Sequence, residues 1–596
     1  MKNNLMSKLD LILLHAPSVY DFRRESIMYG PVSDLVPSTP VFEMYPIGFT
    51  TMAEYLERYG MRTRIVNLAI RMLEDVRFDA EKYIAGLDAA VFGIDLHWLP
   101  HAHGSVEIAR LIKKLHPKRP VLFGGFSATY FHEELIRYPA VDFILRGDST
   151  EYPLLLLTQY IRSGGEAHPS LGSASYQKLS QIPNLVWKDA ENQVLVNPLS
   201  YSPDNLDDLM LDYSGIVRSV VRYRDLVSVI PFRGWVKYPI TAALPVRGCR
   251  YNCVTCGGSS CTFRSIHNRQ KPAYRSPEKL AQDVRRMGEF SNAPVFVLSD
   301  IRMAGEDYAY RFFDAISGYN KPVMFELFRE ASPEFYKRMA KALKHFTIEI
   351  SMESHDEAVR RAFGRPYTNE ELERTVEDAL NAGANRFDLF FMVGIKGQTY
   401  ESVMGTVDYC HEMIRRYAGR GDNRVIPFIS PMAPFLDPGS QAFEEPEKHG
   451  YRLSARTLEE HRQHLLAPSW KYVLNYETIW MNRDQIVAAT YESGRRLNLL
   501  KGEYGVVDAE TAEKTDQRIA RAVTLMGEID HIVATTPQGP ERARLLSDLK
   551  RHVDEANLST VCDKSELEVP VRGMRLNVVQ AAVMVVNDWW RNRLSG

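Results

Sequence analysis

The chain is poor in cysteine, with six in 596 residues. So few cannot build the disulfide framework of a small secreted fold. It also lacks a charge bias: 73 basic residues face 75 acidic ones, for a formal net charge of -2. That balance gives no footing for nucleic acid. Long apolar runs are missing as well. "VVQAAVMVV" (Val578 to Val586) is too short to span a bilayer, and with "NDWWRNR" after it reads as a buried helix, with a membrane-surface helix as the alternative. "LDLILLHAP" near the start is too short for a signal-peptide core with its cleavage site, and reads as a buried first strand. No internal repeat or low-complexity tract occurs. No G-x-G-x-x-G segment occurs at the strand ends, so an ordinary dinucleotide site is not expected. What remains is a globular composition, 45% hydrophobic and 25% charged, long enough for several domains. The expected location is the cytoplasm.

Residues 1–165 alternate strands and helices with short loops, the pattern of a parallel, doubly wound (Rossmann-like) sheet. Ligands of such sheets bind at the carboxyl ends of the strands. Four segments fall there: "HAPSVY", "DLHWLPHAHG", "GGFSAT" and "RGDSTEYP". Residues 166–240 read as a connector containing a hairpin, "IPNLVWKDAENQVLVNP". Residues 241–450 alternate again. Six strand candidates, from "ITAALPVRG" to "RVIPFISPM", predict a partial (β/α)6 barrel of the TIM type. Residues 451–596 carry almost no strand signal and are expected to be mainly α-helical.

Four of the six cysteines crowd into "RGCRYNCVTCGGSSC", from Arg247 to Cys261. A C-x-x-C redox pair should open a helix, whereas this one sits in a loop after a strand. Structural zinc would need Cys261 as its fourth ligand, and no second C-x2-C knuckle follows. Three thiolates at C-x3-C-x2-C would leave one iron of a four-iron cube open, and an open site marks chemistry rather than scaffolding. Spacing leaves both metals in play. Position adds that the loop leaves the first strand of the second block, at the end of a barrel where active sites lie.

There, "RGCRYNCVTC" resembles the signature of the radical S-adenosylmethionine (SAM) superfamily, over roughly residues 241–450. The resemblance implies that Cys249, Cys253 and Cys256 hold a 4Fe–4S cluster whose fourth iron is chelated by SAM, and that Cys261 is not needed. Two departures stand out. Thr255 replaces the usual aromatic residue, which leaves any stacking to Tyr251. "LSDI" replaces Gly-Gly-Glu, so Ser299 and Asp300 become the candidates for the SAM ammonium. "ISMES" implies SAM contacts at Glu353 and Ser354. "GRPYT" offers Arg365 as a carboxylate clamp, "FFMVGIKGQT" offers Gly394 and Gly397 near the adenine, and Glu326 is a further polar candidate. The plain alternative for each is a helix cap or a salt bridge.

A doubly wound domain ahead of such a barrel resembles the cobalamin-dependent radical SAM enzymes. That likeness implies a cobalamin face lined by His15, Pro17, Ser18, Gly124, Gly125, Ser127, Gly147 and Glu151, with His97 and Trp98 on the third-strand loop. "DLHWLP" is superficially similar to the D-x-H-x-x-G motif. It follows the wrong strand, however, and ends in Pro100, so cobalt ligation is not assigned to His97. The activity implied is methylation of an unactivated carbon. A 5′-deoxyadenosyl radical from SAM removes a hydrogen atom, and methylcobalamin, recharged by a second SAM, delivers the methyl group. An external electron donor of flavodoxin or ferredoxin type and a small natural-product substrate are expected. The same cofactors would serve an oxidative cyclisation or rearrangement. A zinc-stabilised, non-catalytic binding protein is the remaining alternative. Trp470, Tyr472, Tyr476 and Trp480 are candidates for a substrate cleft, with Trp589-Trp590 a weaker one.

Overall fold

The structure, a computed structural model, describes residues 9–31, 39, 41–211, 213–432, 434–557 and 561–569, with positions 571, 575, 577, 579, 582, 583 and 586 beyond them. Trp589, Trp590 and much of the run from Val578 to Val586 lie outside the described residues.

Seven strands make the first sheet: β1 (Leu9–His15), β2 (Thr63–Asn67), β3 (Ala89–Asp95), β4 (Val121–Gly124), β5 (Phe143–Leu145), β6 (Leu185–Lys188) and β7 (Val194–Val196). Their spatial order is β2-β1-β3-β4-β5-β6-β7. All of β1 is buried, as its unbroken apolar run requires of a strand covered on both faces. Strands β1 to β5 are parallel. The chain leaves β1 towards β2 on one side and β3 on the other. This creates a switch point, and the crevice outside the ends of β1 and β3 is the ligand position of such folds. The hairpin β6–β7 pairs antiparallel onto β5, so the sheet runs beyond residue 165 and takes in what reads from sequence as connector.

The second unit begins at β8 (Thr241–Ala243). A two-stranded clip, β9 (Val246–Arg247) with β10 (Ala273–Tyr274), then brackets the cysteine loop. Strands β11 (Val295–Val297), β12 (Val323–Leu327), β13 (Phe346–Glu353), β14 (Arg386–Val393) and β15 (Val425–Pro431) follow. The order β15-β14-β13-β12-β11-β8 is wholly parallel, and the end strands do not pair, so the barrel is partial. Helices return the chain between strands. Asn369–Asn381 shows why they form where they do: Thr368 and Glu371 close a capping box at its start, and Gly383, at φ 98°, ends it.

The last block is mainly helical. Helix Arg483–Glu503 packs on β15 and against helix Ala509–Thr535. A small antiparallel pair, β16 (Tyr451–Leu453) with β17 (Tyr476–Thr478), interrupts the helices; at three residues each, these strands are too short to leave a periodic signal in the sequence. Among the described residues, no helix is long and apolar enough to cross a membrane.

Loops at the carboxyl ends of the two sheets meet. Arg247, leading into the cysteine loop, is paired with Glu151 after β5 at 2.5 Å, and Arg269 pairs with Asp148. These buried pairs fix the two ligand-binding edges face to face.

Candidate active site

Gly248, at φ 98°, turns the chain out of β9 into the cysteine loop. Cys253 is buried, and Val254 N–H donates to Phe363 O to pin the loop's centre. Cys249 Sγ accepts from Tyr251 N–H at 3.4 Å, and Cys256 Sγ from Gly258 N–H at 3.3 Å. Burial raises all three thiols, Cys253 to about 11 and Cys256 well above its usual range. Each of Cys253 and Cys256 also feels its neighbouring thiols. Among the described residues the sulfurs do not converge as a set within 4.8 Å. One tetrahedral zinc, with bonds of about 2.3 Å, would draw them to about 3.8 Å. Three thiolate donors would suit a multi-iron cluster with one open iron. Cys261 stands apart, in the first turn of helix Ser260–Ile266, where its N–H is held by Asn252 Oδ1 at 2.8 Å.

Beside this loop the ends of β11, β12 and β13 bring together several of the residues expected at SAM. Glu353 is buried and paired with Arg365 at 3.4 Å. The Arg365 guanidinium lies over the rings of Phe328 and Tyr251, at 4.5 and 5.5 Å. Glu326 accepts from Ser299 N–H at 2.9 Å, and burial pushes its carboxyl up to about 7 against the pull of Arg365. Ser299 and Glu353 both hold φ at 68°, a left-handed backbone that non-glycine residues rarely adopt and that gathers at functional sites. Gly394, at φ 99°, sits under Tyr476, whose hydroxyl is buried without a hydrogen-bond partner. This unmatched hydroxyl and the raised Glu326 fit a polar ligand in the cleft. Gly397 has φ 81° in the turn after Gly394.

Two of the expected residues at this end are engaged within the protein. Asp300 is fully committed: Arg302 donates to it from its backbone N–H, Nε and Nη2, at 2.9, 2.9 and 2.6 Å, and Phe328 N–H adds a fourth donor at 3.1 Å. It positions the β11 loop and has no oxygen left for an ammonium. Ser354 Oγ accepts from Asp356 N–H at 3.2 Å, a local turn bond at the start of helix Glu357–Phe363.

At the switch point of the first sheet, His15 and Asp95 end β1 and β3. His15 Nδ1 lies 3.0 Å from Asp95 Oδ1, and its Nε2 lies 3.0 Å from Phe42 O. His97 Nδ1 reaches the other Asp95 oxygen at 2.8 Å. Burial alone would raise Asp95, but His15 and His97 outweigh it and hold the carboxyl well below its usual range. His101 completes a set with His15 and Asp95 within 4.8 Å. Both its ring nitrogens are buried without partners, and burial drives it to the neutral form. Gly125, at φ 116°, lies against the His97 backbone, where an added Cβ would come within 2.3 Å of Cα. Gly104 is equally close to Pro17 O. Unpartnered nitrogens beside a close-packed glycine floor fit a large polar ligand lying across the strand ends. Ser18 and Ser127 are buried nearby, Gly124 closes β4, and Gly147 turns at φ 100° with its N–H on Thr129 Oγ1. Glu151 accepts from Thr51 and Arg247, which pins the domains together.

The four aromatics do not form one cleft. Trp470 is buried and donates to Tyr491 Oη at 3.1 Å, and Tyr472 donates to Asp530 at 2.9 Å. Trp480 packs on Gly450. Only Tyr476 reaches the barrel edge. Sequence reasoning passed over Asp95, His101, Phe328 and Asp437. Asp95 ends an apolar strand two residues before His97, a signal that was available. For Asp437 there was none, because its partners are remote in sequence.

Residues 244–410 match the radical SAM superfamily model, and residues 35–155 match the B12 binding domain model. Among solved structures, the chain is similar to the radical S-adenosylmethionine methyltransferase TsrM from Kitasatospora setae with cobalamin and a [4Fe-4S] cluster bound. That match has 14% identity and TM-score 0.53, covering 92% of this chain and all of that one. A second TsrM structure, with tryptophan substrate and the SAM analogue aza-SAM, matches at 15% identity and TM-score 0.50, over 75% and 79% of the two chains. The cobalamin-dependent radical enzyme OxsB aligns at 12% identity and TM-score 0.47, over 92% and 71%. No curated protein matches by sequence. A B12-binding domain joined to a radical SAM domain defines the class: the chain belongs with the cobalamin-dependent radical SAM enzymes. Its domains imply a 4Fe–4S cluster, SAM and cobalamin, and such an enzyme needs an electron donor and a substrate.

Proposed function

We propose that this enzyme is a C-methyltransferase that acts on an unactivated carbon of a small molecule. The observation that carries the reading is the opposition of the two carboxyl-end edges, tied by Arg247 to Glu151 and Arg269 to Asp148. A substrate held between them would meet both cofactors. When bound, the cluster supplies reductive cleavage of SAM and cobalamin supplies a methyl carrier.

The chain's own residues do the rest. Cys249, Cys253 and Cys256 would hold the cluster. Arg365, buried and steadied by Phe328 and Tyr251, offers a guanidinium to the SAM carboxylate. Glu326, Glu353 and Ser299 set the polar wall opposite, and Gly394 and Gly397 let the adenine approach the backbone. On the other side, His15, Asp95, His97 and His101 would offer cobalamin a polar surface, and Gly124, Gly125 and Gly147 would give it room. Buried ion pairs around the seam exclude water from the reacting centre. The substrate is a small natural-product intermediate, and a reducing partner of flavodoxin or ferredoxin type supplies electrons. Tyr476 is the aromatic side chain best placed to touch a ligand.

Anaerobic incubation with reductant, cobalamin, methyl-labelled SAM and candidate substrates tests this. The expected products are 5′-deoxyadenosine and S-adenosylhomocysteine in about equal amounts, with label in the substrate. 5′-Deoxyadenosine alone, with a turned-over substrate, would make the enzyme a catalyst of cyclisation or rearrangement instead.

A further inference from the structure

Asp437 lies in the loop after β15, the last barrel strand, and its carboxylate joins two loops that are remote in sequence. Oδ1 accepts from Trp98 Nε1–H at 3.2 Å, and Oδ2 accepts from Gly257 N–H at 2.9 Å. Trp98 belongs to the loop after β3, on the switch-point side. Gly257 follows Cys256 directly. Each oxygen thus faces an N–H donor, the pattern of an ionised carboxylate; burial raises the carboxyl, and the bonds from Gly257 and Trp98 pull it back down. The approach is tight: a Cβ on Gly257 would come within 2.7 Å of Asp437 Cβ. The loop holding Asp437 is itself fixed, by Ser440 N–H on Asp437 O and Leu436 N–H on Asn475 Oδ1. Trp98 carries the link onward, since its ring stands edge-on to Phe42 at 5.1 Å, and Phe42 O meets His15 Nε2.

Unlike the carboxylates at the domain seam, Asp437 makes no ion pair with a basic side chain among the described residues. Its hydrogen bonds go only to neutral N–H groups. It holds the backbone N–H of Gly257, the residue directly after Cys256, which places the carboxylate beside the cysteine loop. A negative charge without a counter-ion in a low-dielectric site opposes the arrival of an electron nearby.

We propose that Asp437 is a positioning residue with two effects: it ties the corrin-side loop to the cysteine loop, and its charge lowers the reduction potential of the cluster. The proposal rests on the reading of Cys256 as a cluster ligand. The tie fixes the gap across which the substrate must sit. The charge keeps the cluster a strong reductant.

The test uses the full chain, reconstituted anaerobically with iron, sulfide and cobalamin. Asp437→Asn keeps the shape and removes the charge. Its cluster should titrate at a more positive midpoint potential than the unsubstituted protein at equal iron content. Trp98→Phe keeps the ring and removes the donor. Amide exchange in residues 249–259 should then speed up several-fold, although the substitution lies in the other domain. An unchanged potential in Asp437→Asn overturns the electrostatic role. Unchanged exchange of residues 249–259 in Trp98→Phe overturns the tie, and stands even if Asp437→Asn fails to fold. Absence of a cluster in the unsubstituted protein defeats the functional reading itself, and iron content reports that separately.

Discussion

Thiols raised by burial become ligands by giving up protons to the incoming metal. Cys253, at about 11, and its two neighbours are therefore mostly protonated near neutrality. Cluster assembly should release protons and take up iron more completely as pH rises from 6.5 to 9, measured as iron bound per chain. Cys253→Ala should lose the cluster and SAM cleavage, while Cys261→Ala keeps both; equal loss of metal in the two variants would restore a four-thiolate site. Glu326 gives a second pH signature. Its carboxyl stands near 7 in the fold against about 4.3 in the unfolded chain. A raised carboxyl favours the protonated form in the fold. Its contribution is complete below about pH 4 and is lost as pH rises through 7. The shift is worth roughly 4 kcal/mol. Thermal melts of the apoprotein should fall in Tm from pH 5 to 9, and Glu326→Gln should flatten that fall.

Elements were legible where local pattern and tertiary role agree. Strands β1 and β3 are unbroken apolar runs buried on both faces, and all six barrel strands fall on segments picked out by composition. The hairpin β6–β7 was legible as a hairpin, but its docking onto β5 depends on a partner about forty residues away. The cysteine loop was legible because three cysteines within eight positions are a local signal. Asp437 was not, since its partners stand 180 and 339 positions away. The aromatics between Trp470 and Trp480 suggested a cleft through nearness in sequence. A short helix and a strand send them in different directions. Gly125 ties the β4 turn to the third-strand loop. Gly125→Ala puts a Cβ on the His97 backbone at φ 116°. It should cost at least about 1–3 kcal/mol and reduce cobalamin uptake, read by Tm and by corrin absorbance after desalting.

At the scale of the molecule, two sheets present their ligand edges to each other across buried ion pairs. Arg247 and Glu151 are almost wholly enclosed. Arg247→Met strands a buried carboxylate and should destabilise the protein by roughly 3–5 kcal/mol. Cobalamin retention should weaken with it, because the seam that closes over the corrin loosens. The central claim is that one chain brings a three-cysteine cluster and a corrin to a shared opening. Metal and corrin analysis after anaerobic reconstitution, with zinc, iron and cobalamin all supplied, tests it most directly. The account predicts about four irons and one corrin per chain, with absorbance near 400 nm from the cluster. One zinc, no iron and no corrin would contradict it.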